Sequence, residues 1–335
     1  MMRRKICKIR SRRDGGKLAA EPPPGADFLR DAVAQLVGQS AADGAQFGIA
    51  VSGGADSLAL LLLAHATFPG RVAAATIDHG LRSDSAAEAQ FVAQICAARA
   101  IPHDILRPAE PISGSLQAAA RLARYALLDD WRAARSIDWL MTAHHADDQL
   151  ETLVMRLARA SGVGGLAGVR ARQGHVLRPL LHLRRAALHQ YVTAAGLNPV
   201  DDPSNRDDRF DRARIRKALA NQDFLDPTAV AASAAALADA DDALHWATAR
   251  LITERMRRDG DNRHVDAAGL PHEFVRRILI DMLGQMGVDA PRGEAIERAI
   301  AAIHGGEQAM IGNVLLRQDG DGRITLSPAP PRKGS

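Results

Sequence analysis

The chain has 335 residues, 47% hydrophobic and 24% charged, proportions that fit a globular protein of about two domains and exclude a fibre or a wholly disordered chain. Its longest apolar run, Leu58 to Ala64, is far short of the roughly 20 residues a membrane span needs, so no membrane association is expected. Two cysteines, Cys7 and Cys96, exclude a disulfide framework or a CxxC metal site and suit a reduced, cytoplasmic setting, while the net charge of +4 conceals +6 in residues 1–25, −6 in 26–155, +8 in 156–217 and −4 in 218–335.

Residues 1–25 mix Arg3, Arg4, Arg12 and Arg13 with Gly15-Gly16 and Pro22-Pro23-Pro24, and read as a basic disordered tail. Regular pattern begins near Ala26 with an amphipathic helix, Phe28 to Val37. A short strand, Phe47 to Val51, runs into the loop Ser52-Gly53-Gly54-Ala55-Asp56-Ser57 and an apolar helix, Leu58 to Ala66. A second strand, Val72 to Ile77, ends at Asp78-His79. A helix from Asp84 to Ala100, a strand His103 to Leu106 and a long helix Leu116 to Ala134 follow. The strand Trp139 to Ala143 then meets His144-His145-Ala146-Asp147-Asp148, where another helix starts. Strands alternating with helices of this length describe a parallel sheet with crossover helices, and ligands of such sheets bind at the carboxyl ends of the strands, where these motifs sit. Beyond the Gly-rich turn Gly162-Val163-Gly164-Gly165-Leu166 lies an Arg-dense segment ending at Lys217. Helices then span Thr228 to Arg257, Phe274 to Met286 and Gly293 to Ile303, before a hairpin around Asp319-Gly320-Asp321-Gly322. The expected division is a tail at 1–25, a catalytic domain at 26–217 and a smaller, mostly helical domain at 218–335.

The loop from Ser52 to Ser57 has the makings of an anion site. Glycines let the backbone turn tightly and present N–H groups, the following helix adds the positive end of its dipole, and two serines add hydroxyls. It is neither a Walker A loop nor a GxGxxG turn. The hexapeptide resembles the signature loop of the N-type ATP pyrophosphatases, or PP-loop proteins. Within that superfamily, Asp78-His79-Gly80-Leu81-Arg82, Ala120-Arg121-Leu122-Ala123-Arg124-Tyr125 and Thr142 through Thr152 are similar to motifs of the tRNA(Ile)-lysidine synthetases. So are Arg178-Pro179-Leu180-Leu181 and Asp202-Pro203-Ser204-Asn205. One departure is Ala213, which stands where that family carries an Asn before the Ile-Arg step.

This resemblance implies an adenine nucleotide α-hydrolase-like (Rossmann-like) catalytic domain. It also implies a ligase that joins free L-lysine to C2 of the wobble cytidine of an isoleucine tRNA with a CAU anticodon. The cytidine is first adenylated by ATP, and pyrophosphate and AMP are the by-products. On that reading Ser52, Gly53, Gly54, Ala55, Asp56 and Ser57 bind ATP, and Asp56 and Asp148 hold Mg²⁺. Arg121 or Arg124 stabilises the base edge, His144 steers phosphate or proton transfer, and Asp56, Asp148 and Glu151 form an acidic lysine subsite. Arg212 and Arg216, with Arg209, make a basic stripe for tRNA phosphates. The alternatives are a PP-loop tRNA thiolase, a GMP or NAD synthetase, a two-metal phosphohydrolase built on Asp78, His79, His144, His145, Asp147 and Asp148, and a catalytically dead RNA-binding module. The oligomeric state is open, a homodimer being one option.

Overall fold

A computed structural model of the chain describes residues 25–78, 85–108, 116–200, 211–220, 222–291 and 293–329, with the side chains of 116–121 set aside. The elements, in order, are α1 (Ala26–Val37), α2 (Gln39–Gly44), β1 (Phe47–Ala50), α3 (Ala55–Thr67), β2 (Val72–Ile77) and α4 (Ser85–Ala97). Next come β3 (His103–Leu106), α5 (Leu116–Ala134), β4 (Trp139–Met141), α6 (Ala146–Leu157), α7 (Val163–Leu166), β5 (Arg172–Gln173), β6 (Val176–Leu177) and α8 (Arg185–Ala194). The remainder is α9 (Asp211–Leu219), α10 (Pro227–Arg255), β7 (Met256–Asp259), β8 (Asn262–Asp266), α11 (His272–Gln285), α12 (Gly293–His304), β9 (Ala309–Ile311), β10 (Val314–Gln318) and β11 (Arg323–Pro328).

Packing divides the chain into two compact units. The first holds the described residues of Met1–Asp148 and Ala171–Asp207, and the second those of Gln149–Arg170 and Asp208–Ser335. Composition alone draws one line near residue 218; packing instead groups most of α6, all of α7 and α9 with the C-terminal elements. The tail at 1–24 and the Asp202-Pro203-Ser204-Asn205 motif lie outside the described residues.

The first unit is built on a six-stranded sheet of order β3-β2-β1-β4-β6-β5, parallel except for the β5–β6 pair. From β1 the chain proceeds outward through β2 and β3, then returns to place β4 on the other side of β1, with Phe47 opposite Trp139 and Ile49 opposite Met141. The switch point therefore falls between β1 and β4, and the segments leaving their carboxyl ends are neighbours. These are the Ser52–Ser57 loop and the His144–Asp148 block. α3 is apolar on all sides because it is enclosed: Leu58, Ala59, Leu60, Leu61, Leu63 and Ala64 are fully buried, with Phe68 stacked 4.4 Å from Phe47. On β1, Gly48 has no room for a side chain, since a Cβ there would come within 2.6 Å of the Trp131 ring.

The second unit carries an antiparallel sheet of order β7-β8-β11-β10-β9. The expected terminal hairpin is present as β10 and β11, and is part of this larger sheet. One sheet face and α11 and α12 enclose a core of Val265, Ile278, Leu279, Leu283, Ile296, Ile300, Leu316, Ile324 and Leu326. Beneath α7, the buried Asp241 of α10 is bound by Arg277 at 2.6 Å and by Arg170. Among the described residues no helix is long and apolar enough to cross a membrane.

Candidate functional site

β1 delivers the chain into a turn whose polar groups are sorted by direction. Gly53 adopts φ +85°, a left-handed conformation that side chains resist. Its C=O accepts from the Val200 N–H at 3.0 Å, and the Gly54 C=O accepts from Leu58 N–H at 3.0 Å and from the Ser57 hydroxyl at 2.9 Å. Ser52 N–H donates to Ser57 Oγ at 3.1 Å, and the two hydroxyl oxygens lie 3.3 Å apart. The carbonyls are thus engaged, while the N–H groups of Gly53, Gly54, Ala55, Asp56 and Ser57 meet no acceptor among the described residues. Five donors at the start of a 13-residue helix form an anion cradle, with the helix dipole of the same sign.

Beside this cradle stands His145, 2% exposed, at the start of α6. It and Asp148 cap that helix reciprocally: His145 N–H donates to Asp148 Oδ2 at 3.1 Å, and Asp148 N–H to His145 Nδ1 at 3.3 Å. The imidazole Nε2 lies 3.5 Å from Asp56 Oδ2 and 3.5 Å from Asp148 Oδ2, with Asp147 Oδ2 3.7 Å from Nδ1. Burial pulls the imidazolium down most strongly, but Asp56, Asp148 and Asp147 together outweigh it and hold the pKa above the usual histidine range. Asp147 also anchors α8, accepting from the Arg185 N–H at 2.8 Å.

The first unit therefore brings Asp56 and Asp148 together through His145, which the sequence reading assigns a role only in the phosphohydrolase alternative. Its neighbour His144, chosen instead, is half-buried with Nδ1 3.0 Å from Thr142 Oγ1. The spacing of His145 and Asp148 was the available signal, a capping-box pattern in which histidine replaces the usual Ser or Thr. Asp78 is buried at the end of β2 and accepts from Ser85 Oγ at 2.7 Å and Arg107 Nε at 3.1 Å. The rest of its motif, His79 to Arg82, lies outside the described residues, as does the Arg121 side chain. Arg124 is half-buried on α5. Immediately after β6, the buried Arg178 reaches Tyr125 Oη at 3.4 Å.

In the second unit Glu151, 4% exposed, is bound by two guanidiniums. Arg216 donates through Nε at 2.6 Å and Nη2 at 3.1 Å, and Arg212 donates through Nε at 2.9 Å. Arg212 also reaches Thr152 Oγ1 at 3.3 Å. The acidic residue and the two basic residues expected in separate roles thus form one cluster of net charge +1.

A divalent cation requires carboxylate oxygens free to turn toward it. Asp56 Oδ1 is buried and has no hydrogen-bond partner, so this carboxylate suits such an ion. The acidic group of α10 (Asp241, Asp242 and His245) does not, because Arg170 and Arg277 already neutralise it. Cys96 is buried in α4, and burial, only partly opposed by Arg99, pushes its thiol up to about 11, which leaves it protonated and inert.

Comparison with known proteins places the chain in a family. Residues 28–223 match the family model of the PP-loop domain. The tRNA(Ile)-lysidine synthase of Zymomonas mobilis is 41% identical over 299 residues, covering 86% of this chain and 90% of that protein. Its counterpart from Novosphingobium aromaticivorans is 44% identical over 274 residues, covering 79% of this chain and 84% of that one. Among solved structures, a U34-tRNA thiolase from Methanococcus maripaludis superposes with a TM-score of 0.50 at 15% identity, over 62% of this chain and 76% of that one, a likeness of fold.

Proposed function

The chain belongs to the tRNA(Ile)-lysidine synthases, proteins built on a PP-loop domain, and on that premise we propose how its residues share the work. It is an enzyme that forms lysidine on an isoleucine tRNA with consumption of ATP. The observation that carries the residue assignment is the set of five N–H groups without an acceptor among the described residues, beside an Asp56 oxygen likewise without a partner among them.

The cradle from Ser52 to Ser57 holds the ATP phosphates, its amides aimed at oxygens that gain charge as the α–β bond breaks. Asp56 and Asp148 would hold Mg²⁺, which when bound offsets phosphate charge. In the reading adopted, the wobble cytidine O2 attacks the α-phosphorus and pyrophosphate leaves. The lysine ε-amine then attacks C2, loses a proton, and AMP departs. Arg121 or Arg124 would stabilise the base edge, and His144 would steer phosphate or proton transfer. His145, with Nε2 3.5 Å from Asp56 and 3.5 Å from Asp148 and with its reciprocal backbone cap to Asp148, fixes Asp56 relative to Asp148, so these two acids are positioned before substrate arrives. Asp56 and Asp148 remain the acids suited to a lysine ammonium. Glu151 does not, because two guanidiniums already occupy it and an ammonium would meet a net positive cluster. We assign Glu151 to holding Arg212 and Arg216 in place for tRNA phosphates. The composition, with two cysteines, of which Cys96 is a buried free thiol, suits a reducing, cytoplasmic setting.

The test is direct. Protein, ATP, labelled lysine and isoleucine tRNA with a CAU anticodon are incubated, and the tRNA is digested to nucleosides. Label in a modified cytidine is expected, with one AMP released per lysine joined. An unlabelled nucleoside that gains sulfur when a donor is supplied would overturn the reading in favour of thiolation.

A further inference from the structure

We propose that Val200 is a positioning residue for the ATP loop: its backbone N–H locks the Gly53–Gly54 peptide so that the Gly54 N–H stays on the anion-facing side. The inference rests on the ATP reading of the cradle and adds a residue nearly 150 positions further along the chain.

In a trans peptide the C=O and the N–H point in opposite directions. The Gly53 C=O and the Gly54 N–H share one peptide plane. Holding the first toward Val200, at 3.0 Å, therefore turns the second away from Val200. Between two glycines that plane rotates at little cost, because neither Cβ opposes the flip. A flipped plane would present a carbonyl oxygen where an anion needs a donor. The Val200 N–H is the group that opposes this, and among the described residues the Gly53 oxygen has no other donor.

The contact is more than one hydrogen bond. A Cβ built on Gly53 would lie 3.4 Å from Val200 Cγ2 and 3.5 Å from Val92 Cγ2, and one on Gly54 would lie 3.9 Å from the Val200 carbonyl oxygen. Val200 thus covers the outer side of both glycines, with Val92 of α4 supporting the first. The clamp is rigid because both its sides share one core. α8 packs on α3, Leu188 and Val192 are fully buried there, and Leu197 packs against the same cluster three residues before Val200.

Three substitutions separate donor, side chain and fold. Val200→Pro removes the N–H, Val200→Ala keeps it and trims the side chain, and Val200→Ile keeps both. Each full-length variant is assayed for lysidine formation with ATP, lysine and tRNA varied in turn, for ATP affinity by equilibrium dialysis, and for melting temperature. Losing one net hydrogen bond predicts that Val200→Pro raises the KM and Kd for ATP about tenfold, while the KM values for lysine and tRNA stay within about twofold. Val200→Ile is expected to behave as wild type, and Val200→Ala to fall between. Unchanged ATP affinity in Val200→Pro overturns the proposal. So does a parallel rise in all three KM values with a fall in melting temperature, which would make Val200 an ordinary packing residue. Wild-type protein that fails to bind ATP would instead defeat the ATP reading itself.

Discussion

At the scale of single residues, the site is a set of charges disposed so that each constrains the next. Asp56 has one oxygen turned to His145 and one buried without a partner. Asp56→Asn keeps the size and removes the charge, so its expected effect is a loss of lysidine formation of about a hundredfold or more, from lost stabilisation of phosphate charge. The check is turnover at saturating ATP with the melting temperature unchanged. Glu151 tells a different story. Its burial is tolerated because Arg212 and Arg216 satisfy it, and Glu151→Gln would leave two cations facing each other. Since Arg212 is 40% exposed, solvent absorbs part of that loss, and the expected destabilisation is about 2 kcal/mol, measurable by urea unfolding. Cys96 supplies a chemical counterpart. With its thiol buried and protonated, maleimide should label it in unfolded protein and scarcely at all in native protein at neutral pH. Rapid native labelling of Cys96 itself, told apart from Cys7 by peptide mapping, would mean that α4 opens far more readily than its packing implies.

At the scale of elements, what could be read in the sequence depended on whether an element's partner is water or core. β1, β2 and β3 with their helices were legible because each alternates an apolar run with a turn signal, and α3 announces its burial by having no polar face. β7 and β8 were missed because Met256-Arg257-Arg258-Asp259 and Asn262-Arg263-His264 lack the apolar alternation of a strand; one residue, Val265, carries most of the core contact. The Asp259-Gly260 turn, with Gly260 at φ +57°, was the remaining clue. The anion cradle was legible as a hexapeptide. His145 was half visible through its block of acids. The pairing of Glu151 with Arg212 and Arg216 and the clamp by Val200 were not, since the first joins helices about 60 positions apart and the second is made by a backbone N–H, which no residue type encodes. α10 offers a local test. Asp226 caps it, accepting from Thr228 N–H at 3.1 Å and Ala229 N–H at 3.4 Å, and Asp226→Ala should cost about 1 kcal/mol with activity retained.

At the scale of the whole molecule, charge governs behaviour in acid and in salt. Arg276 above all, against the opposing effect of burial and with help from Arg277, draws the Glu273 carboxyl down to about 2 from its ordinary 4.5. A depressed acid contributes stability that is complete above pH 4.5 and is lost as pH falls toward 2. Because Glu273 is about a third exposed, that contribution is discounted to about 1 kcal/mol. The wild-type midpoint of acid unfolding should therefore lie below that of Glu273→Gln, and equal midpoints would deny the residue this role. In salt, Arg212 and Arg216 together should account for nearly two units of slope in a log–log plot of tRNA affinity against salt, and changing both to Ala should flatten it by about that much. The placement of β4 against β1 has a further consequence, one of timing. That strand pair joins positions 92 residues apart, and the chain between them holds two strands and three helices. Asp56 and His145 meet across that seam. A copy in which that seam is open therefore lacks the assembled acid–histidine cluster, and on the proposed assignment the capacity to spend ATP waits on its closing.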